Sequence, residues 1–213
     1  MHIPDGILPV TVCAVGYAVA VPATWYSVHK INQKENPRES VPKASLLTAA
    51  FFVVSWIHIP IPPTSVHLVL NGLMGALLGY YAFPAILIAL FFQAVMFQHG
   101  GLTTLGVNSM VMGLPAILAF YIFRFRNMLH NQSKVMTGIF GFLAGFVGIC
   151  ISAVLFIAIL ITSISTGLDV ETERTAIYAL ALAHLPLAVI EGAFTALITV
   201  FLQRVRPAFL DRI

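Results

Sequence analysis

Residues 136–163 read MTGIFGFLAGFVGICISAVLFIAILITS, an unbroken run without one charged side chain. A helix needs about 20 apolar residues to cross the hydrocarbon core of a bilayer. This run exceeds that length and contains nothing a soluble helix could turn toward water. Working outward, the pattern recurs at 175–203 on one side. On the other side it recurs at 107–123, 84–99, 65–82, 44–59 and 9–28. The chain is 59% apolar and only 9% charged, which excludes an ordinary soluble domain. Ten-residue segments of alternating polarity, the mark of a membrane barrel, are not seen. The expected fold is all-α: a polytopic membrane protein, one domain over 1–213, a bundle of about seven transmembrane helices. The spans at 44–59 and 84–99 are short and need support from neighbours, and the last two are long enough to tilt.

Charge sets the expected orientation. Lys30, Lys34, Arg38 and Lys43 fall between the first and second spans, Arg124, Arg126 and Lys134 between the fifth and sixth, and Arg204, Arg206 and Arg212 after the seventh. Seven alternating spans place all of these on one face. Positive residues stay cytoplasmic, so the N-terminus is expected outside and the C-terminus inside the plasma membrane. The basic loops follow from topology and imply no nucleic acid.

The segment ahead of the first span, MHIPDGILP (1–9), lacks the basic start of a secretory signal. Two prolines and a glycine keep it from being a helix. It carries three nitrogen donors within two residues: the Met1 amine, the His2 amide and the His2 ring. Amine and amide close a five-membered chelate around a metal ion; amide and Nδ1 close a six-membered one. Both flatten the donors into a plane. Only an ion that displaces the amide proton can use them, which points to Ni(II) or Cu(II) rather than Mg, Ca or tetrahedral Zn.

A fourth nitrogen is sought downstream. The topology puts His58, His67, His99 and Asn108 at the outer mouth with His2, and His29 and His130 on the inner face as helix-end residues. His67 is expected in the first turn of a third helix capped by Thr64 or Ser65, with Asn71 one turn below and Gly72, Gly75 and Gly79 allowing close packing. It is the strongest candidate. His58 beside Trp56 fits a membrane edge equally well, and His99 before Gly100-Gly101 fits a supporting role. Nine residues extended reach roughly 30 Å, so the N-terminal segment can dip into the bundle to meet His67. In the seventh span His184 and Glu191 share a helix face. They read as a hydrogen-bonded pair, a second metal site or a proton path. The last makes the main rival reading a proton-coupled secondary divalent metal transporter. No G-x-x-x-x-G-K-[ST] loop supplies ATP binding, and no H-E-x-x-H or G-x-S-x-G supplies a protease.

Four stretches together, MHIPDGILP, SVHLVLNGLMGALLG (65–79), FQHGGLTTLGVNSMVMG (97–113) and AHLPLAVIEG (183–192), resemble the CbiM/NikM family. These are the membrane substrate-binding components of energy-coupling factor transporters for cobalt and nickel. The resemblance covers most of the chain. It implies metal bound by the Met1 amine, the His2 amide and ring, and His67. It also implies a separate membrane coupling component, two cytoplasmic ATPases and, commonly, a small additional membrane subunit. The chain itself is then a transport subunit and not an enzyme. The planar donor set leans to Ni(II) over Co(II) as transported substrate. Asp5 is placed to neutralise part of the bound charge, and Gly141 and Gly145 serve packing or docking.

Overall fold

The computed structural model describes residues 2–61, 64–129, 133–163 and 170–211. The chain forms helices α1 (Val10–Asn32) and α2 (Val41–Val54), then a hairpin of strands β1 (His58–Ile61) and β2 (Thr64–His67). There follow α3 (Asn71–Leu78), α4 (Ala82–Phe97), α5 (Leu105–Phe125), α6 (Lys134–Ser163) and α7 (Val170–Val205). Apart from the hairpin, the described architecture is helical. Five stretches among the described residues are long and apolar enough to cross a membrane: Val10–Asn32, Asn71–Phe97, Leu105–Met128, Lys134–Ser163 and Ile177–Val205.

The polarity of the bundle is that of a membrane protein. On α7, Leu182, Leu197 and Phe201 lie exposed on the outside, while His184, Glu191, Thr195 and Thr199 are buried. A surface of that kind is stable only against lipid or a partner helix. The interior is tight because small residues let backbones meet. All eight residues of α3 are buried. A Cβ on Gly75 would fall 2.0 Å from the Ala116 carbonyl oxygen of α5, and one on Gly72 would fall 2.5 Å from α6 at Ala144. Gly141 and Gly145 are used internally: they seat α6 on α7 against Thr199, Thr195 and Gly192.

The third span departs from expectation. Residues 65–82 do not form one helix. The chain stays extended through His67, and α3 begins only at Asn71. Neither Thr64 nor Ser65 caps a helix, and His67 lies in a strand rather than in a first helical turn. Leu70, just before α3, takes a left-handed conformation with φ 54°. The second span also ends early: α2 stops at Val54, and His58 opens β1 instead of closing a helix. A short apolar run such as SVHLVL fits strand and helix alike. Here pairing of Ile59 with Val66 and of His58 with His67 across the hairpin decides for the strand.

Helices α3 and α4 are a hairpin, not one rod. Twenty-seven helical residues in line would span about 40 Å, yet the rings of His67 and His99, which flank this stretch, have centroids 5.8 Å apart. The chain turns at Gly79, whose φ of 58° and ψ of −126° suit only glycine. The bundle therefore has two distinct ends. One gathers His2, His67 and His99. At the other, the Tyr81 hydroxyl donates to the Pro37 carbonyl, the Lys34 ammonium lies over the Tyr81 ring, and Lys43 Nζ donates to Phe209 O at 2.7 Å.

Candidate metal centre

The N-terminal segment is irregular, so its backbone polar groups need partners from elsewhere in the protein. The first turn of α5 and the loop before it supply them. The Ile3 side chain is buried. Its N–H donates to Asn108 Oδ1 at 2.9 Å. Its carbonyl accepts from Asn108 Nδ2 at 3.0 Å and from Thr104 Oγ1 at 2.6 Å. The Asp5 carboxylate accepts from Leu102 N at 3.0 Å, Thr103 N at 2.9 Å, Thr103 Oγ1 at 2.6 Å and Thr104 N at 3.3 Å. The Thr103 hydroxyl, seconded by these amides, holds the Asp5 carboxyl below its usual range. Asp5 thus anchors the segment to the start of α5, where the helix dipole also favours an anion. Gly101 makes the anchor possible, because a Cβ there would lie 1.9 Å from Asp5 Oδ1.

Pinned in this way, His2 meets His67 from β2 and His99 from the α4–α5 loop. One ligand atom from each of the three lies within 4.8 Å of the others. His2 Nδ1 and His67 Nε2 are 3.2 Å apart. The centroid of the His99 ring is 4.2 Å from that of His2, and His99 also packs on Trp56 at 5.1 Å.

Hydrogen bonds around the cluster decide which ring nitrogens carry protons. Ser55 Oγ donates to Phe52 O at 2.9 Å, so it accepts from Gln93 Nε2. That orients the Gln93 amide, and its Oε1 faces His2 Nε2 at 3.0 Å. A carbonyl oxygen accepts, so His2 Nε2 carries the hydrogen and Nδ1 is a bare lone pair. His67 Nδ1 faces the Leu68 carbonyl at 3.1 Å, so it donates there, and Nε2 is bare. Two lone pairs then point at each other across 3.2 Å. Two neutral acceptors repel at that range; a cation between them turns repulsion into ligation. With metal–nitrogen bonds of about 2.0–2.1 Å, adjacent ligands sit roughly 3 Å apart. Burial holds the His2 imidazole well below its usual value and keeps it unprotonated.

Of the expected ligands, the structure brings together His2 and His67. Met1 lies outside the described residues. His99 joins the cluster through its ring. The hairpin backbone pairs His58 with His67. His130 lies outside the described residues, and His29 stacks on Trp25 within α1. His184 and Glu191 have separate partners: His184 Nδ1 donates to Leu180 O of its own helix at 2.7 Å. Glu191 accepts from the Val69 and Leu70 amides, the latter at 2.7 Å. Gln93 and Ser55 were missed. The signal for Gln93 was a lone amide side chain in the apolar run 82–97, where a polar group at membrane depth must have a task.

Comparison with known proteins agrees with this architecture. The family model "Cobalt uptake substrate-specific transmembrane region", CbiM, matches residues 2–209. The chain is 31% identical over its whole length to a "Putative metal transport protein" of Haemophilus influenzae, covering 98% of that protein. It is 33% identical to the "Cobalt transport protein CbiM" of Sorangium cellulosum, again over the whole chain and over 96% of the relative. The "Fused nickel transport protein NikMN" of Rhodobacter capsulatus is 32% identical over 99% of this chain, which spans 64% of that longer protein. A crystal structure described as a transition metal transporter superposes with a TM-score of 0.76 at 26% identity, covering 96% of this chain and 93% of that one. The chain belongs to the CbiM family, membrane components of cobalt and nickel transport and not enzymes.

Proposed function

We propose that this protein is the substrate-capture component of an ATP-driven uptake system, binding Ni(II), or Co(II), at the outer face in a planar all-nitrogen site. The ligands are the Met1 amine, the His2 amide, His2 Nδ1 and His67 Nε2. The single observation that carries the reading is the pair of tautomer-locked lone pairs on His2 and His67, 3.2 Å apart. The amide gives up its proton on binding, so the loaded site carries less net charge than the bare ion, which lowers the cost of holding it at membrane depth. The outer face is assigned from charge. The end of the bundle opposite the histidines holds Lys34, Lys43 and Arg126, as the cytoplasmic side should.

Energy comes from partners, since the chain has no nucleotide loop of its own. These are a membrane coupling component with two cytoplasmic ATPases, and a small additional membrane subunit. The fused nickel relative, of which this chain spans 64%, supports such an appended part. The rival, a proton-coupled carrier working through His184 and Glu191, loses ground because both side chains are committed to backbone groups. The test is calorimetry with Ni(II) on protein with a native N-terminus and on protein carrying one extra residue before Met1. The extension turns the amine into a peptide and should abolish tight binding. Equal affinity would reject the site.

A further inference from the structure

Glu191 is fully buried in the middle of α7, two helices away in sequence from anything the proposed site uses. Its carboxylate accepts from two consecutive backbone amides, Val69 and Leu70. Those amides sit at a particular place in the chain. They follow β2 and precede Asn71, the first residue of α3. Both residues are buried, and neither amide has an intrahelical acceptor at that position. Without Glu191 they would be orphaned donors inside the protein. Leu70 holds a left-handed conformation with φ 54°, which a leucine keeps only where its surroundings impose it. On the far side, Asn71 Nδ2 fixes the start of α3 to Ser152 Oγ at 2.6 Å. The carboxylate therefore clamps the turn that carries the chain from His67 into α3.

We infer that Glu191 is a positioning residue for the metal site: by gripping the Val69 and Leu70 amides it sets the depth and direction of His67 two residues upstream. The inference rests on the proposed ligand role of His67 and deepens it. The extended segment 64–70 has no helical ladder to hold it in register. Its placement comes from pairing with β1 at one end and from the carboxylate at the other. Releasing the carboxylate end lets residues 68–70 relax toward helical geometry, which turns His67 away from His2. The ligand set then falls from four nitrogens to the three supplied by the first two residues. Because α7 packs on α6 through Gly145 and Gly192, the grip also ties the position of His67 to the seat of α7.

A double-mutant cycle tests this on the full-length protein with its native N-terminus, using Ni(II) as the probe. Glu191→Ala and Glu191→Gln are each made alone and with His67→Ala. Affinity is read by calorimetry and ligand set by the visible absorption of bound Ni(II). Glu191→Ala should weaken Ni(II) binding on the order of 10- to 100-fold, as loss of a supporting group around a metal ligand does. It should also shift the spectrum toward that of His67→Ala. Glu191→Gln, which keeps one acceptor oxygen, should fall between. In the His67→Ala background neither substitution should change affinity further. Additive losses, or a Glu191 variant with the wild-type Ni(II) spectrum, would overturn the inference. If Glu191→Ala does not fold, the Gln pair carries the same comparison. If His67→Ala itself leaves affinity unchanged, the ligand assignment fails first, and the two failures are told apart.

Discussion

Asn108 offers the sharpest measurement of how the N-terminal segment is held. Its amide side chain makes a two-pronged bond to one residue: Oδ1 takes the Ile3 N–H at 2.9 Å and Nδ2 gives to the Ile3 carbonyl at 3.0 Å. In Asn108→Ala the carbonyl keeps the Thr104 hydroxyl at 2.6 Å, but the Ile3 N–H loses its acceptor. An orphaned buried donor costs about 1–3 kcal/mol. That cost falls only on the docked state, because an undocked segment meets water. Metal binding needs the docked state, so Ni(II) affinity should fall with the docked fraction, by at most roughly 5- to 150-fold at about 1.4 kcal/mol per tenfold. Calorimetry with Ni(II) reads the affinity. Digestion by an aminopeptidase without metal reads the docking, and the variant should be trimmed faster. Asn108 is remote from the lower half of the bundle, so the melting temperature should move little. Affinity within twofold of wild type together with an unchanged trimming rate would refute the reasoning.

Three further outcomes follow from the same geometry. Gly101→Ala drives a methyl to within 1.9 Å of Asp5 Oδ1; the anchor must shift, and Ni(II) affinity should drop at least about tenfold, whereas wild-type affinity would show that Asp5 does not hold the segment. Gln93→Leu removes the acceptor that fixes the His2 tautomer and should weaken binding about 10- to 100-fold. Gln93→Glu keeps that acceptor and should bind better than Gln93→Leu; the reverse order would remove Gln93 from the site. Docking itself should depend on pH. The buried His2 ring stays neutral below its ordinary value, while a released ring takes up a proton near pH 6.5. The docked state is thus fully favoured above that pH and loses ground as pH falls from there toward the depressed value. Trimming without metal should speed up from pH 7.5 to 5.5; a flat profile would contradict the burial of His2.

Much of the site was legible because its chemistry is local. An amine, an amide and an imidazole on two adjacent residues form a chelate whatever the fold, so His2 stood out at once. The place of His67 beside His2 was expected for a partly mistaken reason. Its value as a ligand was inferred from a helix that the structure replaces with a strand, yet the topology still carried it to the correct end. The membrane class was equally legible, since it follows from hydrophobic runs alone. What stayed hidden was every contact made by backbone. Asp5 is held by three amides, Ile3 by an amide side chain, and Glu191 by the amides of Val69 and Leu70. Every residue but proline carries such an amide, so nothing in its identity announces the partner. Glu191 therefore read as half of a pair with His184, the nearest ionisable group on its own helix face.

The same point explains where the site is built. A metal that binds through a main-chain amide cannot use one already committed to a helix, and within a bilayer almost every amide is so committed. The chain has two non-helical segments, 2–9 and 64–70, brought together at one end of the bundle. Each would be costly alone, and each takes buried polar side chains from the surrounding bundle: Asn108 and Thr104 for the first, Glu191 for the second. These buried polar residues look like expensive guests in an apolar core. They are better understood as substitutes for helical hydrogen bonds, and their presence releases backbone at the one place where the proposed site takes backbone as a ligand. On this argument, stability and binding are set against each other at His2 and His67. A sequence that extended α3 backward through residue 67 would satisfy its own amides without Glu191, and would lose the ligand.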